Sequence, residues 1–198
     1  MPGVERRMLD RIGGEIARAT TIVRYAANSH FSEHCHTGGE EFIVLEGIFQ
    51  DENGDYPAGT YLRNPPTTSH SPRSDQGCTI FVKLWQFDMQ DRKQFHLTML
   101  ETPTTTKGAV KTAILHQDKY ETVKYIEVQA GANLTLDASG GVEILVLSGT
   151  IAESGDLLRQ GSWLRCPSQV KITSIAGNHG AKVWVKSGHL TYAKAPIN

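Results

Sequence analysis

Residues 38–47 read Gly38-Gly39-Glu40-Glu41-Phe42-Ile43-Val44-Leu45-Glu46-Gly47, and residues 140–149 read Gly140-Gly141-Val142-Glu143-Ile144-Leu145-Val146-Leu147-Ser148-Gly149. Each stretch is a glycine pair, a short apolar run and a closing glycine, which is the pattern of a turn, a buried strand and a second turn. They stand 102 residues apart. The same offset lays Gly59-Thr60-Tyr61-Leu62-Arg63-Asn64-Pro65 over Gly161-Ser162-Trp163-Leu164-Arg165-Cys166-Pro167. One residue further out of step, Gly77-Cys78-Thr79-Ile80-Phe81-Val82-Lys83 lies over Gly180-Ala181-Lys182-Val183-Trp184-Val185-Lys186. Matched blocks in the same order mark an internal duplication.

Outward from these blocks the chain stays strand-like. Short runs rich in Val, Ile, Phe and Trp alternate with Gly, Pro and Asn turns such as ENGD, NPP and ESGD, and no long 3.6-residue period appears. The expectation is an all-β chain of two tandem small barrels. The copies are expected at 1–102 and 103–198, joined through the Thr/Pro-rich linker Glu101–Gly108 (ETPTTTKG). A turn or two of helix is expected around Pro2–Arg11. The first 20 residues could instead supply a strand to the second barrel or to a partner chain.

Composition narrows the function. The net charge is −1 with both signs interspersed, so the basic excess that nucleic-acid binding needs is missing. No apolar run approaches the roughly 18 residues that span a bilayer, and the charged N-terminus lacks the apolar stretch of a signal peptide. The three cysteines, Cys35, Cys78 and Cys166, form no CxxC pair, which predicts free thiols and a cytoplasmic protein.

Within the first copy, Ser32–Glu41 reads SEHCHTGGEE. On one strand the two-residue period puts His34 and His36 on one face and Cys35 on the other, where a small buried hydrophobe is expected. The Gly38-Gly39 turn lets Glu40 return alongside, and His70 arrives from a later strand. Three imidazoles and a carboxylate form a mixed N/O set that suits Zn, Fe, Ni, Mn or Cu.

The duplication is an internal control. At the same offset His34 becomes Leu136, His36 becomes Ala138, Glu40 becomes Val142 and His70 becomes Ile172. Joint loss is expected of residues that act as one unit, because a partial set would leave buried polar groups unpaired. Only the first copy is therefore expected to bind metal. Glu41 persists as Glu143 and Arg63 as Arg165, so both are expected to serve the scaffold, Arg63 through an ion pair. His30, His96, His116, His179 and His189 show no ligand spacing and are read as ordinary polar positions.

These residues resemble the cupin superfamily. Its first motif, HxH(x)3E(x)6G, is met by His34, His36, Glu40 and Gly47. The second, roughly G(x)5PxG(x)2H, is met by Gly59, Pro65 and His70, with Thr67 in place of the usual glycine. Thr67 puts the tightness of that turn in question, not the ligand. The resemblance implies two tandem cupin (RmlC-like jelly-roll) barrels. From Ala19 to Leu84 the first copy resembles more closely the cupin domain of ChrR-type anti-sigma factors. That family binds zinc at positions matching His34, His36, Glu40 and His70 and takes part in sensing oxidative stress. One divalent ion is therefore expected, zinc first, with iron, nickel or manganese as alternatives. ChrR-type proteins hold their sigma factor through a separate N-terminal helical zinc module. The ligand-poor segment before His30 does not match it, so sigma binding is not expected.

Three functions follow as expectations. The first is a stand-alone sensor or binder of a small molecule. The second is a metal-dependent dioxygenase acting on a β-diketone or hydroxyketone, although by resemblance such cupins use three histidines without the glutamate. The third is a structural zinc. By resemblance a homodimer is expected, unless the second copy takes the partner's place.

Overall fold

Residues 3–167 and 171–196 are described by the structure, a computed structural model. The chain divides into two compact units, Met1–Leu100 with Lys194–Asn198, and Glu101–Ala193. The boundary falls beside the expected join, but the second unit stops short of the expected 198. Pro196 accounts for part of this, since its Cδ would lie 3.4 Å from a Cβ placed on Gly13 of the first unit.

The first unit contains β1 (Val4–Gly13), β2 (Ala17–Tyr25), β3 (Ser29–His30), β4 (His34–Cys35), β5 (Glu40–Asp51), β6 (Gly54–Pro57), β7 (Thr60–Asn64), β8 (Ser69–His70), β9 (Arg73–Ser74), β10 (Cys78–Leu84) and β11 (Phe95–Thr98). The second contains β12 (Thr104–Lys107), β13 (Val110–Gln117), β14 (Thr122–Val128), β15 (Asn133–Leu136), β16 (Val142–Glu153), β17 (Asp156–Arg159), β18 (Trp163–Cys166) and β19 (Ile172–Ser187). All pairings are antiparallel. The main sheets run β1-β2-β10-β5-β7-β11 and β12-β13-β14-β19-β16-β17. Apart from two 3-10 turns, Met99–Glu101 and His189–Tyr192, the described residues hold no helix.

The duplication reaches the register of the strands. Cys78 faces Gly47 as Ala181 faces Gly149, and Glu41 faces Arg63 as Glu143 faces Arg165. Most tellingly, His34 pairs with His70 as Leu136 pairs with Ile172. Gly47 and Gly149 both have φ +72°, and an added Cβ would lie 2.0 and 2.1 Å from the carbonyl oxygens of Gly77 and Gly180. Glycine is the residue that fits this crossing.

Each barrel has its own apolar interior. In the first it includes Phe42, Val44, Phe49, Tyr56, Leu62 and Ile80. In the second, Ile144, Val146, Ile151, Leu158 and Leu164 take the corresponding places. Aromatics at Phe42, Phe49 and Tyr56 in the first barrel are replaced by the aliphatics Ile144, Ile151 and Leu158 in the second.

Two local expectations are corrected. Residues 4–13 are not helical but form β1, hydrogen-bonded to β2 of their own barrel, with Val4 opposite Tyr25 and Gly13 opposite Ala17. The strand is thus the edge of the first unit's own main sheet, and Pro2 lies outside the described residues. Tertiary pairing overrides the weak helical pattern here. The linker Glu101–Gly108 is also partly a strand. Thr104–Lys107 is β12, turned through Gly108 (φ +59°) to pair with β13, as β-branched threonines favour. No described helix is long and apolar enough to cross a membrane.

Candidate metal centre

The two-residue strands β4 and β8 pair with each other and bring His34 opposite His70. His36 follows β4 directly, and its N–H donates to the Thr68 carbonyl at 2.8 Å. One ring nitrogen each from His34, His36 and His70 lie within 4.8 Å of one another. Glu40 enters on β5, with Oε2 3.3 Å from His36 Nε2 and 3.6 Å from His70 Nε2. His36, Glu40 and His70 are buried, whereas His34 faces solvent. All four predicted ligands thus converge. The three histidines form the tight cluster, and Glu40 lies beside the two buried ones.

The surrounding hydrogen bonds decide what this cluster lacks. Thr68 Oγ1 donates its proton to the Pro65 carbonyl at 2.8 Å, so it accepts from His36 Nδ1 at 3.1 Å. His70 Nδ1 lies 3.2 Å from Asp51 Oδ2, and His34 Nδ1 lies 3.3 Å from the Ser32 carbonyl. Both of those partners are acceptors, so each Nδ1 carries hydrogen and a neutral ring presents an Nε2 lone pair. His36 Nε2, His70 Nε2 and Glu40 Oε2 are buried and make no hydrogen bond. Buried acceptors facing one another are costly unless a cation lies between them. The donor set and its outer hydrogen bonds fit a divalent metal.

Protonation pulls the two buried imidazoles apart. Burial lowers the pKa of His36 below its ordinary value, only partly offset by Glu40. Burial also opposes charge on His70, but the Asp51 hydrogen bond and the Glu40 charge outweigh it and raise its pKa. Burial works against the Asp51 carboxylate too. Hydrogen bonds from His70, the Asn53 N–H and Tyr56 prevail and hold it below the usual range. Tyr56 is pushed up to about 12 by burial and the adjacent Asp51.

The turn before His70 is made without the family's glycine. Thr67 adopts φ +82°, and its N–H donates to the His36 carbonyl at 3.0 Å. Tightness is kept, at the strain of a β-branched residue in the left-handed region.

In the second unit the four counterparts are core. Leu136, Ala138, Val142 and Ile172 are all buried within one apolar cluster. The scaffold readings of Glu41 and Arg63 fit the structure. Glu41 accepts from Tyr61 Oη at 2.8 Å, and Arg63 pairs with Glu41 at 3.4 Å and Asp91 at 2.8 Å.

One expectation fails here. Cys35 is exposed, not a buried hydrophobe; it lies on the two-stranded β4–β8 ribbon, outside the two main sheets. His116 and His189, read as ordinary polar positions, are buried and each faces a carboxylate. His116 Nε2 lies 3.2 Å from Asp118, and His189 Nε2 lies 3.3 Å from Glu143.

Asp51 and Thr68 orient the His70 and His36 rings but were not singled out by sequence. A signal existed for Thr68, whose counterpart is Val170, the same polar-to-apolar loss seen at the ligands. Asp51 corresponds to Glu153 and gave no such contrast.

The duplicated jelly-roll unit gives the chain a two-barrel, cupin-type fold. Residues 1–88 match the family described as ChrR Cupin-like domain. No functionally curated relative matches the sequence. Among solved structures, a candidate dioxygenase from Nostoc punctiforme PCC 73102 superposes with TM-score 0.74 at 13% identity, covering 98% of this chain and 83% of its own. AerE from Microcystis aeruginosa gives TM-score 0.68 at 14% identity, covering 94% and 92%. Oxalate decarboxylase from Bacillus subtilis, a protein with Mn(II) centres, gives TM-score 0.63 at 13% identity, covering 96% and 76%. At these identities the likeness establishes the fold.

Proposed function

We propose that the protein is a metal-dependent small-molecule-binding cupin. In this reading the first unit holds one divalent cation through His34, His36, Glu40 and His70, and the second is its metal-free scaffold copy. The carrying observation is the set of facing buried acceptors, His36 Nε2, His70 Nε2 and Glu40 Oε2, which make no hydrogen bond. The ChrR resemblance favours zinc, and manganese, iron or nickel suit the same donors.

Exposure of His34 supports a centre that a solute can approach from one side. A purely structural zinc is better served by four enclosed ligands. When bound, the cation would supply Lewis acidity to an oxygen donor such as a carboxylate or enolate. The chain's own residues supply orientation. Thr68 and Asp51 fix the His36 and His70 rings, and the Phe49 ring, 5.7 Å from His70 between centroids, walls one flank with apolar surface.

Binding or sensing of a small molecule is the first reading. Oxygen-dependent cleavage of a β-diketone or hydroxyketone is the second, supported by the fold shared with the candidate dioxygenase. Cobalt(II)-substituted protein tests the open side, since its visible spectrum reports coordination. Azide, acetate and acetylacetone should shift the bands. An unchanged spectrum with all three contradicts an open centre. Oxygen uptake by iron(II)-loaded protein with acetylacetone would select the second reading over the first.

A further inference from the structure

Trp85 follows the last residue of β10, where the second unit has Gly188. The two positions make the same backbone bond: Trp85 N–H donates to the Gly39 carbonyl at 3.1 Å, and Gly188 N–H to the Gly141 carbonyl at 2.9 Å. Both are left-handed, with φ +59° at Trp85 and +91° at Gly188. Glycine adopts this conformation freely, whereas a bulky side chain does so only under strain, and such strain gathers at functional sites.

The indole lies against Gly38. A Cβ at Gly38 would fall 2.0, 2.3 and 2.5 Å from three of its ring atoms. Phe87 lies the same way against Gly39, with its ring under the Arg63 guanidinium at 4.3 Å. Gly38 and Gly39 belong to the turn that joins His36 to Glu40. In the second unit Leu190 lies against Gly141, but the atoms nearest a Cβ at Gly140 are those of the Gly188 backbone. The aromatic at this place therefore occurs in the copy that carries the ligands.

We infer that Trp85 is a positioning residue of the metal centre, its indole clamping the Gly38 turn so that His36 and Glu40 face one another. This rests on the metal-binding reading above. The clamp converts backbone strain at one residue into a fixed separation between two ligands. A rigid supporting shell of this kind is what a preformed metal site requires.

The test compares zinc(II) affinity by calorimetry with thermal unfolding of the metal-free protein, for wild type, Trp85→Gly and Trp85→Phe. Trp85→Gly should fold and unfold close to wild type, because lost contact is offset by relieved strain, yet bind zinc about tenfold or more weakly. Trp85→Phe should keep most of the affinity. Gly38→Ala should also weaken binding, and much less so in a Trp85→Gly background, where the ring it strikes is gone. Wild-type affinity in Trp85→Gly overturns the inference and leaves the metal reading standing. Failure of Trp85→Gly to fold also overturns it, since Trp85 would then be a structural cover. No zinc bound by the wild type removes the metal reading, and the inference with it.

Discussion

Asp51 accepts a hydrogen bond from His70: Oδ2 lies 3.2 Å from Nδ1, while Oδ1 takes the Tyr56 hydroxyl at 3.2 Å and the Asn53 N–H at 2.8 Å. The carboxylate is held at both ends and fixes both the tautomer and the ring plane of His70. In Asp51→Asn the amide can turn an NH2 toward Nδ1 and favour the tautomer with hydrogen on Nε2. Metal affinity should fall roughly 10–100-fold, as for other outer partners of ligating histidines. Calorimetric titration with zinc checks it, with circular dichroism confirming the fold.

Thr67 is exposed and has φ +82°, so its side chain contributes strain and little packing. Thr67→Gly should stabilise the first unit by up to about 1 kcal/mol, the left-handed penalty less the added freedom of the unfolded chain. Urea unfolding at constant m-value measures it.

Gly47 and Gly149 should be equally intolerant. An alanine Cβ at either meets a backbone carbonyl within 2.1 Å, and neither strand can retreat without breaking its ladder. Each single Gly→Ala change should cost about 3 kcal/mol or more. Soluble yield and chemical unfolding of the two variants test the symmetry of the duplication.

The two buried imidazoles pull the pH dependence in opposite directions. His70, with its pKa raised, stabilises metal-free protein below the unfolded value and loses that contribution as pH rises through its folded pKa. His36, with its pKa lowered, stabilises above the unfolded value and loses that contribution as pH falls. Their combined contribution should peak near the ordinary histidine value of about 6.5. Zinc affinity should instead climb steadily with pH across this range, because His70 must give up its proton to bind. Thermal unfolding with chelator and with zinc, from pH 5.5 to 8.5, separates the two trends.

The candidate ligands were legible as a group because the chain carries its own control. His34 over Leu136 and His70 over Ile172 read as a joint loss in sequence, and the structure gives the two pairs the same register. The fold was legible for the same reason, since glycine and strand blocks recur at one offset. Residues 4–13 were not, because an edge strand with charges on half its positions has no period that separates it from a short helix. Cys35 was misjudged because alternation tells which way a side chain points and says nothing of whether another strand lies beyond it. Trp85 was invisible because its role depends on a φ value and on contact with Gly38, some 47 residues earlier in the chain.

The most direct test of the account is metal content by elemental analysis of protein purified without added metal, beside a His34→Ala, His70→Ala double variant. One equivalent of a single divalent metal in the wild type, and little in a folded variant, is the predicted result. Metal absent from the wild type and not taken up on reconstitution, or retained equally by the variant, would contradict the assignment of His34, His36, Glu40 and His70 as its ligands.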